Sequence, residues 1–217
     1  MQSCNEIESD RRSVFTDIYS RNAWGGQESR SGTGSDYSST GTLVDTLPWI
    51  LKVLNITQLL DAPCGDFHWM KEVVQAMQAD LPAFTYHGVD IVAEALVAAN
   101  QVATDRNLSE NCHWMPADLV DEVPQVGAEL ILIRDLLGHL PLRDVERILE
   151  NVKVSGAKWL MTTHFPNAVM HDQISAGQWQ PINLTLAPFH WPRPAFVINE
   201  NSPESKAKSL GLWRLSQ

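Results

Sequence analysis

Four acids and a histidine stand where short apolar runs end. Asp61 follows Gln58-Leu59-Leu60, Asp90 closes a run from Thr85, Asp118 follows His113 to Pro116, Asp135 ends Glu129 to Arg134, and His164 follows Lys158 to Thr163. Carboxylates in such positions accept hydrogen bonds from hydroxyls and amines. They suit a nucleoside and repel phosphate. The first acid opens the turn Asp61-Ala62-Pro63-Cys64-Gly65-Asp66-Phe67, with Gly65 where a backbone must come close to a ligand. Asp90 is placed to accept both hydroxyls of a ribose. Asp135, His139 and His164 are the candidate proton acceptors. Histidine titrates near neutral pH, and a four-residue step at a helix start puts Asp135 and His139 on one face. The same set with Asp172 could hold a divalent ion, but its spacing is not that of a metal site, and none is assigned.

These residues need a frame that brings them together. Part of residues 1–22 reads as a helix with Val14, Ile18 and Tyr19 on one face. The Gly- and Ser-rich run from Trp24 to Ser35 cannot be a regular element. It carries Trp24, Glu28 and Arg30, which are not linker residues, and reads as a binding loop. Thr40 to Val53 reads as a helix with Leu43, Leu47, Ile50, Leu51 and the following Leu54 inward, and Pro48 predicts a kink or break in it. Further helices are expected over Phe67 to Met77, Val92 to Asn107 and Leu142 to Val152, each after one of the strands named above. Strands and helices alternate five times, the pattern of a parallel sheet covered on both faces. Glu129 to Asp135 is apolar on both faces and belongs at the centre. After Thr163 the alternation stops. An irregular stretch runs from His164 to Pro194, and Ala195 to Ile198 and Leu212 to Leu215 should pair antiparallel as a terminal hairpin. In an open parallel sheet, ligands bind beyond the carboxyl ends of the strands, where the acids lie.

Composition narrows the classes. A chain of 217 residues with 44% hydrophobic and 19% charged residues can bury a sizeable core as one domain. No run approaches about eighteen apolar residues, so no membrane span is expected, and Met1 to Arg12 lacks the apolar stretch of a signal peptide. The net charge of −10 argues against nucleic acid or an anionic membrane as main partner. Cys4, Cys64 and Cys112 are far apart, which implies neither a disulfide framework nor zinc, and reduced thiols in the cytoplasm are the default.

The ordered motifs resemble the class I S-adenosylmethionine-dependent methyltransferases. The resemblance rests on Leu60-Asp61-Ala62-Pro63-Cys64-Gly65-Asp66-Phe67, on Gly88-Val89-Asp90-Ile91, on Ala117-Asp118-Leu119, and on Ile133-Arg134-Asp135-Leu136-Leu137-Gly138-His139-Leu140-Pro141. It covers about residues 40–215. It implies an α/β fold: a three-layer α-β-α Rossmann-like sandwich with a mostly parallel seven-stranded sheet and a C-terminal antiparallel hairpin. Residues 1–39 would form an N-terminal helix and cofactor-covering loop, and 40–217 the methyltransferase domain. Two departures stand out. The turn keeps only Gly65 of the family's glycines, with Pro63 and Phe67 at the outer positions. The interval from Asp61 to Asp90 is also longer than usual, with Ala79 to Ala83 as the extra length.

The resemblance implies S-adenosyl-L-methionine as cofactor. Asp61, Pro63, Cys64, Gly65 and Phe67 would form the turn beneath it, with Asp90 and Ile91 at the ribose and Asp118 and Leu119 at the adenine. Arg134 and Asp135 would lie at the reacting end. Family members often close the methionine end with residues before the first strand, so Arg30 is expected to pair with the carboxylate, covered by Trp24 and the Ser31-Gly32 backbone. Family members build the acceptor site in the stretch before the hairpin. Trp179, Asn183, Phe189 and Arg193 are the candidate acceptor-binding residues there. The implied activity is methylation of a small molecule or glycan, chiefly at a sugar hydroxyl. An amine acceptor, a nicotinamide-dependent oxidoreductase and a non-catalytic cofactor-binding protein are the alternatives. The absence of Gly-x-Gly-x-x-Gly weighs against nicotinamide, and a homo-oligomer stays open.

Overall fold

The computed structural model describes residues 4–203 and 205–215. Residues 1–3, Glu204 and the last two, which the expected segments 1–39 and 40–217 included, lie outside the described residues. The strands are β1 (Gln58–Asp61), β2 (Thr85–Asp90), β3 (Cys112–Pro116), β4 (Leu130–Ile133), β5 (Trp159–His164), β6 (Phe196–Asn199) and β7 (Ser209–Arg214). The helices are α1 (Cys4–Ser20), α2 (Tyr37–Val53), α3 (Met70–Asp80), α4 (Ala93–Asp105) and α5 (Leu142–Val154).

The strands form one sheet in the order β3-β2-β1-β4-β5-β7-β6. β1 to β5 run parallel, and β7 runs antiparallel to both β5 and β6. The expected sandwich with its terminal hairpin is therefore what the chain forms. β4 is buried at all four positions and lies at the centre. Its alternation splits the core: Leu130 and Leu132 join Leu59 on one face, and Ile131 and Ile133 join Leu60 on the other. α2, α3 and most of α4 cover the first face. α5 covers the second with Val145, Ile148, Leu149 and Val152, joined by Phe15 and Tyr19 of α1. The chain builds outward from β1 through β2 to β3, then crosses back to β4 on the other side of β1. That reversal leaves a crevice between the carboxyl ends of β1 and β4.

Some local expectations are corrected. Pro48 does not break its helix: α2 runs unbroken from Tyr37 to Val53. Leu43, Leu47, Ile50 and Leu51 are buried on both sides of the proline. At about 1.5–3 kcal/mol each, they outweigh the roughly 3 kcal/mol that an interior proline costs. α3 begins at Met70 and not Phe67, because residues 67–69 complete the turn after β1. β7 begins at Ser209, three residues before the expected start. No helix among the described residues is long and apolar enough to cross a membrane.

Candidate active site

The turn after β1 forms the floor of a cavity in this crevice. Its backbone is tied to both neighbours: the Ala62 N–H donates to Leu132 O at 2.9 Å, and the Cys64 N–H to Val89 O at 2.8 Å. Gly65 has φ +56°, and a Cβ there would stand 2.3 Å from Ser31 Oγ. Both conformation and space require glycine. Phe67 also has a positive φ, 62°. A left-handed conformation costs an L-residue roughly 1–2 kcal/mol. Its ring is buried between Tyr86 and Trp114, with centroids 4.9 and 5.1 Å away, which offsets that cost. The backbone thus keeps a glycine-like conformation at a position where the family usually has glycine.

Asp61 and Asp90 line the cavity and are nearly inaccessible. Asp61 accepts the Tyr86 hydroxyl at 2.6 Å. Asp90 accepts the N–H groups of Gly65 and Val92, both at 2.9 Å. Burial pushes the Asp61 carboxyl up to about 7, against the pull of Tyr86 and Arg134. It pushes Asp90 up to about 6, against its backbone donors. Burial outweighs the donors and the cation around both carboxyls, so a ligand that brought further donors or positive charge would favour their ionised forms. Cys64, Pro63, Ile91 and Trp69 also line the cavity. Burial also drives the Cys64 thiol up, away from nucleophilic use.

The segment from Trp24 to Asp36 closes the cavity and is anchored. Asp66 accepts the Ser29 hydroxyl at 2.8 and 2.9 Å and the Arg30 N–H at 3.0 Å, while Ser31 Oγ accepts the Asp66 N–H. Asp36 accepts the N–H groups of Gln27 and Glu28, and Glu28 accepts that of Tyr37. One helical turn, Thr33–Ser35, forms within this run, where no regular element was expected. The Arg30 side chain is exposed, its N–H is held by Asp66, and its charge acts on Tyr19 in the cavity wall. The guanidinium lining the cavity is that of Arg134, buried at the end of β4, over the Trp69 ring. It donates to Gly34 O at 2.8 Å and Glu200 at 2.7 Å and lies 3.2 Å from Asp135. Ile91, Asp118 and Leu119 line an adjoining apolar slot.

A second chamber, of about 440 Å³, shares Trp24, Ser31 and Asp135 with the first cavity. That volume is within the range of small-molecule sites, about 300–1,000 Å³. Gly32, Phe165, Trp179, His139 and Lys208 complete the relevant lining. Asp135, with φ 56°, stands at the junction. Burial would raise its carboxyl, but Arg134 and Lys208 outweigh that and hold it below the usual carboxylate range. Gly34 leaves room for this pair: a Cβ there would be 2.7 Å from Asp135 Oδ2. His139 belongs to a separate turn, Leu137–His139, and not to the start of α5. Its Nδ1 lies 2.9 Å from Gln178 O. A carbonyl can only accept, so Nδ1 is assigned the proton and Nε2 keeps the lone pair. Burial pushes His139 down despite Asp135, favouring the neutral ring.

The other expected residues lie elsewhere. His164 is buried with its ring edge-on to Trp213, outside both cavities. Asn183 is buried and ties its own loop: its amide donates to Pro166 O and Ala168 O, and its Oδ1 accepts from Thr185. Phe189 packs on His171, and Arg193 is exposed. Of those four acceptor candidates, only Trp179 lines the chamber. Asp172 gives its N–H to Gln180, and among the described residues no three His, Cys, Asp or Glu side chains gather as a metal site. Sequence reasoning missed Arg11, Phe15, Tyr19, Trp69, Lys208 and Glu200. Phe15 and Tyr19 carried a signal as apolar neighbours on a helix face. Arg11, Lys208 and Glu200 carried none.

No family model matches the chain, and no curated protein does. Solved structures do. Magnesium protoporphyrin IX methyltransferase from Synechocystis PCC 6803, solved with bound S-adenosylmethionine, aligns with a TM-score of 0.68 at 13% identity, covering 97% of each chain. The methyltransferase domain of bacterial CtHen1 aligns at 0.59 and 14%, covering 82% of this chain and all of that one. An O-methyltransferase family protein from Burkholderia thailandensis aligns at 0.59 and 12%, covering 82% of this chain and 56% of that one. These likenesses assign the chain the fold of the S-adenosylmethionine-dependent methyltransferases.

Proposed function

We propose that this protein is an S-adenosylmethionine-dependent methyltransferase that methylates a hydroxyl of a small molecule or glycan. One observation carries the reading: an acid-lined cavity and an aromatic-walled chamber meet at Asp135, beside a histidine with a free lone pair. The residues present fit the cofactor. Burial raises the carboxyls of Asp61 and Asp90, and a ligand that brought them a cationic amine and ribose hydroxyls would favour their ionised forms.

When bound, the cofactor supplies an electrophilic methyl group on a sulfonium. Asp90 would accept the ribose hydroxyls. Arg134 would face the methionine carboxylate in the role expected of Arg30, with Asp61 available to its amine. The three flat rings Trp24, Phe165 and Trp179 give the acceptor apolar faces, a lining suited to a sugar ring. His139 Nε2 would take the hydroxyl proton as the oxygen attacks, and the adjacent Asp135 charge would stabilise the imidazolium. Trp24 and the anchored loop would keep water out.

Thermal-shift and calorimetric titration with S-adenosylmethionine, S-adenosylhomocysteine and NAD tests the cofactor. Stabilisation by the first two is expected, and a shift with NAD alone overturns the reading. S-adenosylhomocysteine release with a panel of glycosides and their amino-sugar counterparts then tests the acceptor, and turnover confined to the amines overturns the hydroxyl assignment.

A further inference from the structure

Arg11 is in α1, yet it is buried at the far end of the site. Its Nε donates to Asp118 Oδ2 at 2.7 Å. Its Nη2 lies 3.5 Å from Asp121, and its Nη1 3.7 Å from Asp144 at the start of α5. The other oxygen of Asp118 accepts the Val120 N–H at 2.9 Å. Both oxygens of Asp118 are thus held by donors on different elements, and the carboxylate plane is fixed. The neighbouring Arg12 ties the same helix to Ile91 O at 3.0 Å.

Arg11 and Asp118 line the narrow slot that adjoins the main cavity, and the two spaces share Phe15, Pro63, Asp90, Ile91 and Leu136. Apart from Arg11, Asp118 and Asp90, the slot is apolar. A flat ring reaching past Asp90 would meet the Asp118 carboxylate, which can only accept, while the Arg11 nitrogens beside it are turned to Asp118, Asp121 and Asp144. A 6-amino purine offers it a donor. A 6-oxo purine offers another acceptor, so lone pairs would face lone pairs.

We infer that Arg11 is a positioning residue that sets Asp118 to distinguish a 6-amino from a 6-oxo purine on the cofactor; this rests on the cofactor reading above. A guanidinium suits the task because its fork reaches several carboxylates in fixed geometry, which an ammonium does not. Without Arg11, Asp118 keeps only the Val120 N–H, its side chain turns, and the choice between bases is lost.

The test is calorimetric binding of S-adenosylhomocysteine and S-inosylhomocysteine to the wild type, Arg11→Met and Arg11→Lys, with melting temperatures recorded. The wild type should prefer the adenosyl compound about tenfold or more, the scale of an unmatched buried acceptor. The ratio should collapse to within threefold in Arg11→Met and drop at least threefold in Arg11→Lys. Arg11→Lys keeps a positive charge near the three acids and decides the matter if the methionine variant does not fold. Equal weakening of both compounds, with the ratio preserved, would mean that Arg11 only holds the helix and overturns the inference. A wild type that binds both equally also overturns it while leaving the cofactor reading intact. A wild type that binds neither overturns the cofactor reading itself.

Discussion

Lys208 Nζ stands 2.5 Å from Asp135 Oδ2, although 73 residues separate them. The pair joins the loop before β7 to the end of β4. Glu200, fully buried, lies 3.6 Å from Lys208 and 2.7 Å from Arg134. Two cations and two carboxylates thus form a compact neutral group where the two cavities meet.

Replacing Lys208 with methionine removes one partner of a largely buried pair. Such losses cost about 3–5 kcal/mol when the orphaned charge is fully buried. Asp135 keeps Arg134 and its side chain is 29% exposed, so about 1–3 kcal/mol is expected in urea denaturation. S-adenosylhomocysteine affinity should stay within threefold, and methyl transfer should fall tenfold or more. A variant with unchanged turnover would remove Lys208 from the chamber's function.

Asp61 has a sign that can be checked. Its folded carboxyl is pushed up to about 7, well above an unfolded aspartate near 3.9. Between these values the folded state holds a proton that the unfolded state has released, so this group's contribution to stability falls as pH rises from about 4 to 7. His87, His139 and His164, pushed down by burial, act in the opposite sense. The comparison must therefore be with Asp61→Asn. The melting temperature of that variant relative to wild type should rise from pH 5 to about pH 7 and level off above it. A flat difference would contradict the raised carboxyl.

Cofactor affinity should follow the same groups. Ionised Asp61 and Asp90 accept hydrogen bonds and attract a cation, and their protonated forms do so poorly. Calorimetric Kd for S-adenosylmethionine should weaken as pH falls from 8 to 5, with the change centred between about 6 and 7.

The two histidines should separate cleanly. His139→Ala should lower kcat by about 10²–10³ at pH 7, abolish the acidic limb of the pH–rate profile and leave S-adenosylhomocysteine binding within threefold. His164→Ala should keep kcat within threefold and lose stability instead, because its ring packs against Trp213. The reverse result would transfer the proton acceptor to His164.

Asp66→Ala should release the closing loop. It deletes the acceptor for the Ser29 hydroxyl and the Arg30 N–H, and hydrogen bonds to charged groups contribute about 1.5–3 kcal/mol each. Cofactor affinity should drop at least tenfold, and trypsin should cut faster at the exposed Arg30. Unaltered cleavage together with unaltered affinity would mean that Asp66 does not hold the loop.

The order of elements, the central place of Leu130–Ile133 and the gathering of Asp61, Asp90, Asp118 and Asp135 at one edge could all be read from the chain. Each depends on short-range periodicity, and the parallel βα alternation then leaves little freedom in where strand ends fall. The side-chain partnerships could not be read. That the Arg134 guanidinium lines the cavity while Arg30 stays exposed, that Arg11 holds Asp118, and that Lys208 meets Asp135 depend on how distant segments cross and which way each side chain turns. Pro48 and Asn183 teach the same lesson: packing on both sides overrode a helix breaker, and a loop's unpaired carbonyls claimed a side chain suited to a ligand. Local pattern decided where the chemistry would gather. Tertiary packing decided which residues would carry it, because burial and pairing energies arise only between segments that the fold has already brought together.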